Sequence, residues 1–310
     1  MSNLILPYQP LEPKATGVLA DRLEQALARL TPFGITAPPA GRLPRAVKLL
    51  RSVHKANAYP ATDLELVRVG NAVKAAFNFV RFLDSIQPPG PPGVLESVKR
   101  ALKGTLDDVG PTEAHRAQSE LLVGATLVGG GVRVGAPRPG TGRTPDYVAD
   151  VDTVSYSTEV KRPGSAGAVE RAVAEAVRQA REYRAYPSVI ALDLSDLSSS
   201  SSVIRDVRAA EAQYEGTFRA AYNSARDYLV RRRADNGYGR VALLFCFAES
   251  FLWAIPKASP IPHSAMMMYV EVFPEASAGI IVDQSRKLRR KIVEGFEDLG
   301  GRVRRLDRVP

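Results

Sequence analysis

Cysteine is almost absent from this chain of 310 residues: Cys246 stands alone. An internal disulfide is therefore excluded, and so is a zinc site built from several thiolates. Histidine occurs three times, at His54, His115 and His263, without the spacing of a metal-ligand pair. Acidic residues are in deficit, with 33 Asp+Glu against 42 Lys+Arg, a formal charge of +9 and a pI near 9.7. That imbalance favours a polyanionic partner through counterion release, although a basic surface also serves solubility alone. Long apolar runs are missing too. The longest, Val241 to Pro256, is interrupted by Glu249-Ser250 and is too short to span a bilayer. The N-terminus, Met-Ser-Asn-Leu-Ile-Leu-Pro-Tyr, lacks the basic region and apolar run of a secretory leader. These absences predict a soluble protein in the reducing cytoplasm, with no membrane partner. There is no internal repeat, glycine-rich phosphate loop or nucleophile elbow.

Hydrophobic residues make up 45% of the chain, enough for one large domain or two modest ones. Residues 1 to 16 read as irregular, and Val18 to Leu30 then carries apolar positions at a helical period. Leu43 to Ala56 reads as a basic amphipathic helix, with Arg42, Arg45, Lys48, Arg51 and Lys55 near one face. Phosphate contact and an ordinary solvated face are equally good accounts of it. Thr62 to Ile86 forms a longer helix, capped by Thr62 with Glu65 three residues on. The run Pro88-Pro89-Gly90-Pro91-Pro92-Gly93 stops regular structure. A boundary there separates an N-terminal helical module, residues 1 to 93, from a second domain of residues 94 to 310.

Val94 to Lys103 is a short helix, and Pro111-Thr112-Glu113 opens another whose inward residues include Leu121, Leu122, Ala125 and Val128. Glu113 and Glu120 lie two turns apart on it, and Glu120 sits in the apolar portion that must pack on a sheet. Gly129-Gly130-Gly131 ends the helix, Val132 to Val134 is a first strand, and Pro137 to Arg143 is a loop carrying Arg138 and Arg143. Tyr147 to Ala149 and Val154 to Val160 form a hairpin whose tip holds Asp150 and Asp152, read as turn formers ahead of metal acids. Val169 to Ala180 has the clearest apolar stripe in the chain, and Ser188 to Leu194 is a strand suited to a sheet covered on both sides.

Asp196 to Ser202 is a serine-rich loop, and Val203 to Ala234 a long helical pattern around Gly216. Val241 to Phe247, Phe251 to Ile255 and Met267 to Val272 read as three strands, with Cys246 and the Met266-Met267-Met268 run as packing residues. Gln284 to Leu299 is a basic helix, and Arg302, Arg304, Arg305 and Arg308 extend its charge into the tail. The C-terminus is therefore a candidate footprint for a nucleic-acid backbone.

The chemistry concentrates between Glu120 and Tyr183. Pro145-Asp146 is followed, after twelve residues, by Glu159-Val160-Lys161. That spacing leaves room for a strand, a turn and a returning strand, and alternation projects Glu159 and Lys161 from one face. Two carboxylates and an amine converging on one spot suit metal-assisted hydrolysis, since hard oxygen donors hold Mg²⁺ and an ammonium can orient water or offset charge on a phosphate. An ion pair on a solvated sheet face would account for Glu159 and Lys161 equally simply. Against that account, a sheet covered on both sides would partly bury the pair, which is costly without a function or a partner.

Pro-Asp, a spacer and Glu-x-Lys resemble the signature of the PD-(D/E)XK nuclease superfamily. Glu120 falls where that family carries a helical acid, and Gln179-Ala180-Arg181-Glu182-Tyr183 resembles the Gln-x-x-x-Tyr helix motif of its RecB-type branch. The resemblance covers roughly residues 111 to 195. It implies an α/β, restriction-endonuclease-like core, a mixed central sheet flanked by helices. It also implies a Mg²⁺-dependent phosphodiesterase, with Mn²⁺ as a substitute, acting on DNA ahead of RNA. Asp146, Glu159, the carbonyl of Val160 and Glu120 would hold the metal, Lys161 would serve the attacking water or the phosphate, and Gln179 and Tyr183 would support from behind. A non-cleaving nucleic-acid-binding or assembly protein on the same fold is the alternative. A bacterial defence effector, in which the N-terminal helices sense a partner or a second copy of the chain, is a further one.

Overall fold

Ser188 to Asp193, mostly apolar and buried at every position, forms a central strand covered on both faces. Around it the computed structural model describes residues 3–7, 12–86, 94–106, 112–135, 145–183, 186–198, 203–204, 207–235, 238–254, 261–273, 279–299 and 303–304. The proline run 88–93, the loop 137–143, serines 199–202 and most of the basic tail lie outside those residues.

In chain order the elements are β1 (Asn3–Pro7), α1 (Ala15–Ala28), α2 (Arg42–Ala56), α3 (Asp63–Ile86), α4 (Val94–Ala101), α5 (Glu113–Gly129) and β2 (Arg133–Gly135). There follow β3 (Tyr147–Val151), β4 (Val154–Lys161), α6 (Val169–Ala180), β5 (Ser188–Asp193), α7 (Ser195–Ser198) and β6 (Val203–Ile204). The chain closes with α8 (Val207–Arg231), β7 (Val241–Ala254), β8 (Ile261–Val272), α9 (Gly279–Asp298) and β9 (Val303–Arg304).

The strands form one mixed, open sheet in the order β2-β3-β4-β5-β7-β8-β1-β9, with β6 pairing on β7. β4, β5 and β7 run parallel at its centre, and antiparallel strands extend it on either side. Alternation divides the side chains between two helical layers. Val189 and Ala191 of β5 join a cluster that includes residues of α1, α2, α3, α5 and α9, whereas Ile190 and Leu192 join a second cluster against α6 and α8. Met266 and Met268 point to the first layer and Met267 to the second, as packing residues do, and Cys246 is buried. The architecture is thus α/β, a mixed sheet flanked by helices.

Several boundaries differ from expectation. Residues 3–7 are not irregular: β1 pairs antiparallel with β8, from Asn3↔Tyr269 to Pro7↔Ala265. The helices before residue 93 share the first core cluster with those after it. β7 is one strand of 14 residues rather than two. Glu249 does not break it because α3 supplies Asn78, whose Nδ2 donates to Glu249 Oε2, and Lys74, which donates to its backbone oxygen at 3.1 Å. The long helix begins at Val207 after the short β6, and α9 starts five residues earlier than its periodicity suggests.

The Thr62 cap acts as read, and Thr112 caps α5 in the same way. Thr62 Oγ1 donates to Glu65 at 2.7 Å, and Thr112 accepts from the His115 N–H at 3.3 Å. The glycine run does more than end α5. Gly131 adopts φ 69°, and Gly130 meets Gly295 of α9 so closely that a Cβ on either would fall 1.9 Å from the facing backbone oxygen. At the β3-β4 tip Asp152 sits at φ 51°, a conformation Asp tolerates in a turn.

Candidate active site

β3 and β4 position the central acids. Their register ends with Tyr147↔Thr158, and Asp146 lies one residue before β3, next to the end of β4 that carries Glu159 and Val160. Asp146 Oδ2 accepts the backbone N–H of Val160 at 2.8 Å. The N–H and C=O of a strand residue point to the same side, so the Val160 carbonyl is directed toward that flank as well. Asp146 keeps part of its surface open but is enclosed on most sides. Burial, and then the charge of Glu120, push its carboxyl up to about 6, against the opposing effects of the Val160 N–H, Lys161 and Arg100.

Glu159 is buried at 3% exposure, and its Oε2 lies 3.9 Å from Lys161 Nζ. Lys161 leaves the same face and donates to Gln179 Oε1 on α6, while Glu175 Oε1 stands 3.7 Å away. Gln179 in turn donates to Glu175 at 2.9 Å. The solvated ion pair weighed from sequence is thus corrected. The acid is buried, and the ammonium is 18% exposed and held on two sides by α6.

Glu120 stands near the pair without being free to join it. Its carboxylate accepts from Arg100 through both oxygens and from Ser97 Oγ at 2.8 Å, all on α4. Its backbone oxygen accepts from the buried hydroxyl of Tyr147 at 2.9 Å. Glu113, the other acid on α5, is exposed in its first turn. Among the described residues no group of three His, Cys, Asp or Glu side chains converges to hold a metal ion. The expected three-carboxylate set is therefore only partly assembled, because Arg100 engages its third member.

The Gln-x-x-x-Tyr segment is corrected in one respect. α6 ends at Ala180, and Glu182 and Tyr183 continue it with tighter bonds to Gln179 and Ala180 oxygens, both at 3.0 Å. Tyr183 is buried just beyond the helix rather than on its face.

Arg162, Glu175 and Arg100 carry roles that the sequence pattern did not assign. Arg162 follows Lys161 and points to the opposite face, where it bonds Asp196 through Nε at 2.8 Å and NH2 at 2.7 Å, and Asp193 through NH1 at 2.8 Å. Burial works against its charge, but Asp193 and Asp196 outweigh that and hold its pKa above the usual value. Ser119, the neighbour of Glu120, donates to the same Asp193. One buried cluster thus ties the ends of β4 and β5 to α5. An acid closing an apolar strand, with another three residues on, was the only sequence signal for it. For Glu175 the signal was its i,i+4 spacing to Gln179.

The basic helices are less available than composition suggests. On α2, Arg51 pairs with Asp21 and Glu24, and Arg42 is buried and donates to Gln118. On α9, Lys287 pairs with Asp152 at 2.7 Å, Lys291 donates to the oxygens of Gly130 and Gly131 at the end of α5, and Arg289 donates to the Val270 oxygen. Among the described residues no helix is long and apolar enough to cross a membrane. In comparisons with protein-family models, curated proteins and solved structures, the chain has no match.

Proposed function

We propose that this chain is a Mg²⁺-dependent nuclease with a restriction-endonuclease-like core, cutting phosphodiester bonds of DNA ahead of RNA in the bacterial cytoplasm. The observation that carries the reading is the Asp146 carboxylate seated on the Val160 N–H at 2.8 Å, on the residue between Glu159 and Lys161, with Lys161 Nζ 3.9 Å from Glu159 Oε2. Two carboxylates and a backbone carbonyl are hard oxygen donors, the set Mg²⁺ prefers. The elevated Asp146 pKa reflects a buried, negatively charged corner, which a divalent cation would stabilise. The donor set therefore fits the ion, with Mn²⁺ as a substitute.

When bound, the metal would supply Lewis acidity at the scissile phosphate and lower the pKa of a coordinated water. The chain's own residues do the rest. Lys161 faces the reacting phosphate or its water, and Gln179 and Glu175 fix the direction of its ammonium. Tyr147 and Arg100 hold the middle of α5, which carries Glu120.

One observation favours a second reading. Glu120 is neutralised by Arg100, which suits a protein that binds nucleic acid on this fold without cleaving it. Labelled DNA and RNA incubated with Mg²⁺, with Mn²⁺ and with EDTA separate the two. Metal-dependent fragments support the nuclease, whereas intact strands that remain bound support the binder.

A further inference from the structure

Behind the Arg162 cluster lies a cavity of about 140 Å³ between α3, α5, the C-terminal ends of β4 and β5, and Glu249 within β7. It faces the layer opposite Lys161, but Ser119 and Arg162 on its wall are the immediate neighbours of Glu120 and Lys161. The carboxyl ends of parallel strands are where open α/β sheets ordinarily take ligands.

Its size, charge and chemistry narrow the occupant. A sealed cavity of about 150 Å³ accommodates a benzene ring, so this one encloses a single ring and not a fused pair. Its charges balance: Arg42, Lys74 and Arg162 stand against Asp193, Asp196 and Glu249. Much of that charge is already matched within the wall, by the Arg162 bonds to Asp193 and Asp196 and by Lys74 at 3.9 Å from Glu249 Oε2. A strongly charged ligand would find no complementary excess, and an apolar one would leave these groups desolvated without return. The amides of Asn71, Asn78 and Gln118 line the space as well. One end of each is held in the wall, by the Leu106 oxygen, Glu249 and Arg42, and the other end remains for a ligand, the buried Asn78 Oδ1 having no partner among the described residues. Asn71, Lys74 and Gln118 are part-exposed, so the cavity is not sealed.

A neutral, hydrogen-bonding, single-ring group beside a phosphodiester-cutting centre is a pyrimidine base. We propose that this cavity receives one unstacked pyrimidine of the nucleic-acid strand held at the adjoining site, a proposal that rests on the nuclease reading above. The remaining amide atoms would read the edge of the base, and Lys74, which donates one N–H to the Glu249 backbone oxygen, would donate another to the carbonyl oxygen of the base. A purine would exceed the enclosed volume and leave its second ring protruding through the open side, so it would bind less tightly. Because taking a base out of a duplex costs a few kcal/mol, single strands and frayed ends would be preferred over paired DNA.

The test uses the full chain in EDTA, so that it is independent of cleavage. Equilibrium dialysis with cytidine, uridine, adenosine and guanosine should show the pyrimidine nucleosides bound at least tenfold more tightly than the purines. Ala75→Leu, which fills the cavity from α3, should abolish that binding; if the variant does not fold, Val67→Phe fills it from the half-exposed side. Equal binding of the four nucleosides, no binding at all, or binding retained in the filled variant would overturn the proposal. Metal-dependent cleavage by the same preparation reports separately on the nuclease reading. Cleavage without nucleoside preference removes only the base pocket, and nucleoside preference without cleavage removes only the enzyme.

Discussion

Asp146 Oδ2 accepts the backbone N–H of Val160 at 2.8 Å, so the acid that opens β3 is fixed by the residue lying between Glu159 and Lys161. This bond does two things at once. It pins the carboxylate to the end of β4, and it partly offsets the burial and the Glu120 charge that would otherwise raise the Asp146 pKa further.

That pKa, about 6, sets a pH dependence. The folded protein holds the Asp146 proton more tightly than an unfolded chain, whose Asp titrates near 3.9. The stability linked to it is therefore full below about pH 4 and lost as pH rises through about 6. Asp146→Asn should raise the melting temperature relative to wild type at pH 7.5 and change it little at pH 4. Mg²⁺ should stabilise wild type at pH 7.5 and stabilise the variant much less. Thermal scans check both: equal shifts at the two pH values would refute the raised pKa, and equal stabilisation of wild type and variant by Mg²⁺ would remove Asp146 from the metal.

Lys161 should matter to turnover and not to affinity. Lys161→Ala is expected to lower the cleavage rate roughly 10² or more, as loss of a charge-stabilising donor does, while duplex or single-strand binding in Ca²⁺ stays within about twofold. Gln179→Leu keeps the ammonium but frees its direction, and should cost roughly tenfold in rate. Single-turnover assays beside anisotropy titrations distinguish rate from binding.

The Arg162 cluster makes a stability prediction of the opposite pH sense. Burial disfavours the charged form of Asp196, but Arg162 outweighs it and holds the carboxyl below its ordinary range. The linked stability is present above the unfolded value and declines as pH falls through the folded one. Arg162→Met strands two buried carboxylates and should destabilise the fold by roughly 3–5 kcal/mol at pH 7 in urea titrations. The deficit should narrow on acidification, and a pH-independent deficit would point to lost packing alone.

Salt titrations assign the basic surface. Because Lys287, Arg289 and Lys291 are engaged within the fold, Lys287→Ala should leave the salt dependence of nucleic-acid binding unchanged and loosen only the β3-β4 tip. Removing residues 301 to 310 should flatten the slope. A slope altered by Lys287→Ala and untouched by the truncation would reverse this assignment.

Local physics was legible in the sequence. The apolar stripe of α6, the Thr62 cap, the two-sided burial of β5 and the packing role of Met266 to Met268 all follow from periodicity and side-chain chemistry. So does the β3-β4 hairpin in the spacing between Asp146 and Glu159, whose register runs from Val151↔Val154 to Tyr147↔Thr158. What the sequence could not fix depends on residues far apart in the chain. Residues 3–7 look irregular until β8 offers its edge, and Glu249 looks like a strand breaker until Asn78 and Lys74 arrive from α3. Gly130 reads as a helix stop until Gly295 packs against it. Arg100 takes Glu120, and Arg162 gathers Asp193 and Asp196, only because helices and strand ends meet in space. Charged side chains choose partners by proximity, and tertiary packing alone decides proximity.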